Sequence, residues 1–596
     1  MEAQQILNNV FGYNTFRTGQ EEIINTLLSK KNILAVMPTG AGKSLCYQIP
    51  ALLFSRGSII VSPLVALMDD QILSLKELGV SAERIHSHLS EEQNNKSLQD
   101  FKKGLIKILY LSPENLMSDR TLYALQDIDI AMFAIDEAHC ISKWGASFRP
   151  QYEELSKLSQ IFPDAIIASF TATADKNTRD DIVHKLCNYN AKIFVQGFDR
   201  PNLSLAVEQK TKNWKEQLLI FLENKKNNSG IIYCLSRKET ESVADFLNKK
   251  TFNAIPYHAG QDASLRKNNQ NKFMNEDGII IVATIAFGMG IDKSNVRFVA
   301  HTSLPSSIEA YYQEIGRAGR DGNPAETLLL YGLNDLFQRR RFIELDKSDD
   351  QHKLGENKRL DSLLAYCEAP ICRKKALLSY FDEEIESCNN CDNCLQPPKM
   401  LEGTELAQMA LSAIYRSGQV FGAVHIINIL LGENSPKIIE RGHNKIKTFG
   451  IGKEHSKDFW QGFIRQMLAS GHIIINIKKF GCLQITTTGV QLLKNELQFN
   501  YKEIELKSHK TPKNYKEKIT LNIQDSDLEL LSALKKLRLT TAKSLSVPAF
   551  VIFSDASLIE MAKLKPKDQI DFSKINGVGP SKLKKYSDTF LSVING

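Results

Sequence analysis

From about residue 30 to 330, short apolar runs alternate with stretches whose apolar residues recur at helical spacing. NILAVM (32–37), SIIVS (58–62), IKILYLS (106–112), MFAID (132–136) and AIIASF (165–170) are apolar runs of strand length. Runs this short and nearly unbroken predict strands buried on both faces, with the helical stretches between them supplying the cover. The turn residues Asp199-Arg200-Pro201-Asn202 interrupt the pattern, which restarts with GIIYCLS (230–236) and GIIIVAT (278–284). The expectation is two tandem α/β domains, each on a parallel sheet, facing each other across a cleft.

Beyond 335 the pattern changes. Residues 335–400 read as helices ending in a cysteine cluster and closed by Gln396-Pro397-Pro398. Residues 405–495 are helical, then alternate through HIIINIKKFGCLQIT (472–486), which predicts a winged helix. Residues 500–525 are charged and poor in apolar side chains, and 526–596 read as a compact helical bundle. The expected boundaries are 1–204 and 205–334 for the α/β domains, 335–400 for the cysteine-bearing helices, 401–500 for the winged helix, 501–525 for a linker and 526–596 for the bundle.

Composition narrows the class. At roughly 100–200 residues per domain the chain holds about three to five domains. Its 42% apolar and 24% charged residues exclude disordered, collagen-like and coiled-coil chains. No apolar run approaches the roughly 18–20 residues of a membrane span. The N-terminus lacks the basic and apolar regions of a secretory signal. The net charge of +7 is uneven: residues 501–596 carry 17 basic against 11 acidic side chains, residues 401–500 carry 11 against 7, and the first 400 residues are left at −3. A basic rear behind a near-neutral front points to a polyanionic partner. Four of the ten cysteines fall at 372, 388, 391 and 394, as for a metal site in a reducing compartment. Cys46, Cys140, Cys187, Cys234 and Cys482 are scattered and read as inert thiols.

Three constellations carry chemistry. Met37-Pro38-Thr39-Gly40-Ala41-Gly42-Lys43-Ser44 follows one strand and opens a helix. Thr39, Gly40 and Gly42 let backbone amides close on phosphates, Lys43 reaches the β- and γ-phosphates, and Ser44 ligates Mg²⁺. Met37 stands where the strict pattern has glycine. Asp136-Glu137-Ala138-His139 closes the strand MFAID, so Asp136 can hold Mg²⁺ and Glu137 can orient or deprotonate water. In Gln313-Glu314-Ile315-Gly316-Arg317-Ala318-Gly319-Arg320 the arginines, three apart, fall on one side of a helix turn and could reach a γ-phosphate across the cleft. His139 and Gln313 complete the expected catalytic set.

The phosphate loop, DEAH, Thr171-Ala172-Thr173 and QEIGRAGR, in this order, resemble superfamily 2 helicases, and in detail the RecQ family. FGYNTFRTGQEEII (11–24) resembles that family's adenine-binding motif; the resemblance implies that Tyr13 and Arg17 sandwich adenine and Gln20 bonds its edge. CISKWGASFRP (140–150) resembles its aromatic-rich loop, implying that Trp144 and Phe148 stack on bases and Arg149 contacts backbone. VSPLVALMDDQ (61–71), SPENL (112–116), FDRPNL (198–203), YHAG (257–260) and ATIAFGMGIDKSNVRFV (283–299) also match. Ile315 departs from the Thr or Ser common in related motifs.

Essentially the whole chain is covered by the resemblance. It implies two RecA-like domains, a zinc-binding subdomain, a winged helix and an HRDC-like bundle. C-x15-C-x2-C-x2-C suits a closed Cys₄ zinc site. An iron–sulfur cluster of ferredoxin type would need a further cysteine soon after 394. Cys367 competes with Cys372, and the family context selects Cys372. RGHNKIKTFGIGK (441–453) suits duplex phosphates, and Phe480 near the hairpin tip suits a wedge. Asn576-Gly577-Val578-Gly579-Pro580-Ser581-Lys582 resembles a helix–hairpin–helix turn in which amides and Lys582 take phosphates. The implied protein is an ATP-dependent 3′→5′ DNA helicase of recombination and repair. Its expected cofactors are ATP, Mg²⁺ and Zn²⁺. Its expected partners are single-stranded and tailed or branched duplex DNA and a single-strand-binding protein. It would act as a monomer, off the membrane, in the cytoplasm with the nucleoid. The rivals are a DNA-stimulated remodelling translocase, an RNA helicase and a DNA-binding scaffold with an inactive motor.

Overall fold

Apolar runs too short to cross a domain as helices become parallel strands here, and the amphipathic stretches between them become the helices that cover both faces. The computed structural model describes residues 2–38, 40–63, 65–86, 89–142, 149–285, 287, 293–346, 350–476, 481–504, 525–545, 547 and 549–595. Thr39, Trp144, Phe148 and Phe480 lie outside the described residues, as does most of the expected linker.

The first sheet has seven strands: β1 (Ile33–Val36), β2 (Gly57–Val61), β3 (Ala82–Ile85), β4 (Ile108–Leu111), β5 (Ile130–Ile135), β6 (Ile166–Thr171) and β7 (Lys192–Val195). Their order is β3-β4-β2-β5-β6-β1-β7, and every pairing is parallel. The second sheet has β8 (Leu203–Gln209), β9 (Ser229–Tyr233), β10 (Asn253–Tyr257), β11 (Ile279–Ala283), β12 (Val296–His301) and β13 (Ala325–Tyr331), again all parallel, in the order β10-β11-β9-β12-β13-β8. The strand order places the ends of β1 and β5, which carry the phosphate loop and the carboxylates, on the same edge of the first sheet.

The edge strand β8 is covered by the cysteine-bearing segment. Asp392 accepts a hydrogen bond from the Val207 amide (3.0 Å), and the Ser204 hydroxyl donates to the Asn390 carbonyl (2.7 Å). Arg373, fully buried, donates to Asp392 and to the carbonyls of Tyr366, Cys367 and Ala369. Glu368, on the helix Asp350–Glu368, pairs at 3.1 Å with Arg465 of the winged-helix helix Lys457–Ala469, so three modules meet at buried charges.

In the winged helix, β14 (Met400–Glu402) pairs with β17 (Asn500–Lys502), and β15 (Ile473–Asn476) with β16 (Cys482–Ile485), both antiparallel. The pairing at 500–502 carries this domain past the boundary expected at 500: Tyr501 is buried there, so these residues are not linker. The C-terminal bundle lies against both α/β domains. Gly577 donates its amide to the Gly12 carbonyl (2.8 Å), and Ser581 donates to the Glu77 carbonyl (2.9 Å). Lys585 and Tyr586 both donate to the Glu77 carboxylate, and Lys535 pairs with Asp277 at 3.6 Å. Only glycines admit the two backbones so close: a Cβ on Gly12 would stand 2.5 Å from the Gly579 nitrogen. No helix among the described residues is long and apolar enough to cross a membrane.

Candidate functional site

A loop that closes on phosphates needs left-handed backbone and open amides. Gly40 (φ +87°) and Gly42 (φ +84°) supply the first, and Gly42 caps the helix Lys43–Leu53 without a side-chain bond to its amides. Gln20, 1% exposed, donates to the carbonyls of Ala41 (3.1 Å) and Gly42 (3.2 Å) and accepts from the Arg17 amide. The Arg17 guanidinium bonds the Gly40 carbonyl. Two of the three side chains expected on adenine, Arg17 and Gln20, therefore brace the phosphate loop in this structure. Tyr13 follows Gly12 at the end of the N-terminal helices and is 38% exposed.

The carboxylates follow β5. The Asp136 amide donates to the Val61 carbonyl, and the Tyr152 hydroxyl donates to that of Asp136. Burial, then the neighbouring charge of Glu137, pushes the Asp136 carboxyl up to about 6, while Lys43 opposes this. Glu137 sits in the left-handed region (φ +50°), a rare place for a residue with a long side chain. Burial works against its charge, but Lys43, His139, Arg317 and Arg149 together outweigh it and hold Glu137 below the usual carboxylate range. Burial keeps the His139 imidazole below its ordinary value, with Glu137 opposing. Its Nδ1 lies 2.8 Å from the Thr171 hydroxyl, which in turn bonds the Thr173 carbonyl (3.0 Å). From the second domain, Gln313 donates to the Thr173 hydroxyl (2.8 Å), so hydrogen bonds run from His139 across the cleft.

The arginines arrive from the same side as Gln313. The helix Ile308–Ile315 stops at Gly316, so Arg317 and Arg320 stand on the turn that follows rather than on a helix face as the spacing suggested; Gly316 and Gly319 (φ +58°) break the helix. Arg317 is near enough to Glu137 to stabilise its charge, and the Arg320 Cγ lies 3.7 Å from where a Cβ on Gly40 would be. Within this cleft Glu137 Oε2 and Arg317 Nε are buried with no hydrogen-bond partner among the described residues. Glu137 Oε2 lies 3.4 Å from His139 Nδ1 without a hydrogen bond; an acceptor and a donor in this cleft fit a water and a phosphoryl oxygen, and Ser44 with Asp136 offers the hard oxygen pair that Mg²⁺ takes.

Cys372, Cys388, Cys391 and Cys394 place their sulfurs within 4.8 Å of one another. The Cys388–Cys394 and Cys372–Cys391 sulfur separations are both 4.0 Å, close to the roughly 3.8 Å that a tetrahedron of 2.3 Å Zn–S bonds requires. Backbone amides of Arg373, Cys388 and Asn390 donate to these sulfurs, which favours thiolates. Cys367 is buried elsewhere with its thiol pushed up by burial. The four cysteines thus fit zinc.

The expected DNA contacts fare unevenly. Arg149 donates to the Pro63 carbonyl (3.4 Å) and lends its charge to Glu137, which places it beside the carboxylates. Lys582 lies 5.7 Å over the Phe553 ring, and burial brings its ammonium down to about 8 against the pull of Glu77. Its hairpin is turned onto the first α/β domain, with the Gly577 amide used by Gly12. Sequence reasoning gave no role to Arg200, Asn202, Thr173 or Glu77; FDRPNL and Thr171-Ala172-Thr173 were the visible signals for the first three, and Glu77 had none.

Comparison with known proteins agrees with this arrangement. The chain matches the DEAD/DEAH box helicase family over 17–182, the helicase conserved C-terminal domain over 209–322, the RecQ zinc-binding family over 333–395, the RQC domain over 397–510 and the HRDC domain over 527–594. It is 42% identical to the ATP-dependent DNA helicase RecQ of Haemophilus influenzae, over 99% of this chain and 95% of that protein. It is 37% identical to the protein of the same name from Bacillus subtilis, over 99% of this chain and 98% of that one. Two parallel-sheet domains with an arginine-lined cleft, four clustered cysteines, a winged helix and a terminal bundle are thus the parts of one known assembly, and the chain belongs to the RecQ family.

Proposed function

We propose that this protein is an ATP-dependent DNA helicase that translocates 3′→5′ on one strand and separates the duplex ahead of it, in recombination and repair. The observation that carries the reading is the cleft in which Arg317 and Arg320 of one sheet domain meet Glu137 and the phosphate loop of the other. Gly40, Gly42 and Thr39 would cradle the ATP phosphates, with the Lys43 ammonium against them and Tyr13, Arg17 and Gln20 toward the base. Ser44 and Asp136 would hold Mg²⁺, which when bound neutralises charge on the phosphates. Glu137, kept ionised by four cationic or polarisable neighbours, orients the attacking water and takes its proton. Arg317 and Arg320 stabilise the charge that develops on the transferred group, and can do so only while the domains are together. Hydrolysis then loosens the cleft, which couples chemistry to a step along the strand.

Trp144, Phe148 and Arg149, beside the carboxylates in sequence, are the proposed strand contacts; Phe480 is the proposed wedge and Lys582 a further contact once the bundle leaves its present seat. The proposed substrates are tailed or branched duplexes, with a single-strand-binding protein as partner, a monomeric state and a place in the cytoplasm with the nucleoid. Unwinding of 3′-tailed against 5′-tailed duplexes with ATP and Mg²⁺ tests the reading. The 3′-tailed substrate alone should be opened, and Lys43→Ala should abolish both opening and ATP hydrolysis. DNA-stimulated hydrolysis without strand separation would reduce the protein to a remodelling translocase.

A further inference from the structure

The catalytic arginines stand on a turn. Residues 316–320 follow the end of the helix Ile308–Ile315, whose last carbonyls are taken by the turn's own amides, Arg317 on Glu314 and Ala318 on Ile315. The carbonyls of the turn itself are gripped from outside by Arg200. Its guanidinium donates to the carbonyls of Gly316 (3.3 Å), Ala318 (2.9 Å) and Gly319 (2.9 Å), on both sides of Arg317 and immediately before Arg320. Asn202 adds donation to the carbonyls of Gly319 (2.9 Å) and Asn323 (2.8 Å). A planar fork of donors suits three carbonyls that face different ways, and a cation at a helix C-terminus is favoured by the helix dipole.

Arg200 lies in the short connector between β7 and β8, the covalent passage from one α/β domain to the other. That connector is anchored at both ends. Gln196 donates its amide to the Val36 carbonyl and its side chain to that of Thr18 (2.8 Å), in the first domain. Past Gly197, the Phe198 carbonyl accepts from the Tyr312 hydroxyl (2.7 Å), and the Arg200 carbonyl accepts from Lys374 (2.7 Å) beside the cysteine cluster. The segment that joins the domains therefore also grips the loop that one domain extends into the other's site.

We propose that Arg200 is a positioning residue for ATP hydrolysis: it holds the turn so that Arg317 and Arg320 point into the cleft, and it ties that turn to the interdomain connector. The proposal rests on the reading of Arg317 as a transition-state arginine. Arg200 touches no substrate; removing it should leave ATP binding, which is centred on the first domain, nearly intact while slowing the step that needs the arginines. A lysine keeps the charge but gathers its donors on one nitrogen, which cannot span the carbonyls that Nη1 and Nη2 reach from separate positions.

The test is steady-state ATP hydrolysis by the full-length, zinc-loaded protein with saturating single-stranded DNA, for Arg200→Lys, Arg200→Met, Arg317→Ala and the Arg200→Lys/Arg317→Ala double variant. Arg200→Lys should lose about tenfold or more in kcat with KM for ATP within about twofold, at unchanged zinc content. On the Arg317→Ala background it should cost less than about a further twofold, because the two act through one interaction. If Arg200→Met does not fold, Arg200→Lys decides alone. Wild-type kcat in Arg200→Lys, or a loss that multiplies that of Arg317→Ala, overturns the positioning role while leaving the arginine reading in place. Wild-type kcat in Arg317→Ala itself overturns both.

Discussion

Among the described residues Arg373 is the largest charged side chain that the fold buries completely, and its surroundings explain why it is tolerated. Asp392 neutralises it and three carbonyls take its remaining donors, so no part of the guanidinium is left without a partner of opposite polarity. Arg373→Met fills the volume but leaves Asp392 beside β8 without its cation. Removing one partner of such a buried pair costs about 3–5 kcal/mol. The variant should show a lower urea midpoint and reduced zinc retention; an unchanged midpoint would mean that Asp392 finds water. The buried pairing was not legible in the sequence, where Arg373 served only, with Lys374, to mark the family context of Cys372. The phosphate loop, the carboxylates and the cysteines were legible because each is a contiguous or closely spaced string whose chemistry is local. Gln313 on Thr173 and Arg200 on Gly316 join residues more than a hundred positions apart, and no periodicity reports such contacts.

The strands follow the same division. Fully buried β1, β4, β5 and β6 announced themselves as apolar runs. The edge strands β3, β7, β8 and β10 went unread because an edge exposes one side: AERI carries charges, KIFV buries only Phe194, LSLAVEQ buries alternate residues, and NAIPY contains a proline. The interior strands β12 and β13 also went unread, since Arg297 and Glu326 interrupt their apolar runs. The winged-helix helix Ala423–Leu431 shows a different hidden device. His425 Nε2 lies 2.8 Å from His443 Nδ1, and His425 stacks on Phe421 at 4.0 Å. One hydrogen bond between two imidazoles needs one lone pair, so the pair resists full protonation. Burial first, then His443 and Lys437, brings His425 down to about 4. The folded pKa lies below the unfolded one, so the unfolded chain binds the extra proton and stability is lost as pH falls from about 6.5 toward 4. His425→Phe keeps the ring and removes the charge; its Tm should fall less between pH 7 and pH 5 than that of the unmodified protein, and parallel curves would refute the assignment. For the cysteine helices, Cys391→Ser should abolish zinc binding and lower soluble yield, and a full equivalent of zinc in that variant would show another ligand set.

Across the molecule, charge pairs, one buried and one half-exposed, join the modules where apolar packing alone would let them slide. Arg465 with Glu368 fixes the winged helix to the cysteine-bearing helices, and Glu77 fixes the bundle to the first α/β domain. The order of modules was readable from composition and pattern, but their seating was not, since Glu77 and Lys585 carry no sign of each other in the sequence. Glu77→Lys places like charges at that seat and should release the bundle, read as a larger maximum dimension in solution scattering; an unchanged profile would show that the glycine contacts suffice. The seat also changes the arithmetic of any competitor. The hairpin around Gly577 and its neighbour belong to one chain, so they meet at an effective concentration on the order of millimolar whatever the protein concentration. A nucleic acid that binds the isolated bundle with micromolar affinity would bind the same face in the whole protein more weakly, its affinity scaled by the fraction of time the seat stands open. Dilution would not relieve that competition, whereas salt, which weakens the Glu77 and Asp277 pairs and the nucleic acid contact alike, would act on both sides of it at once.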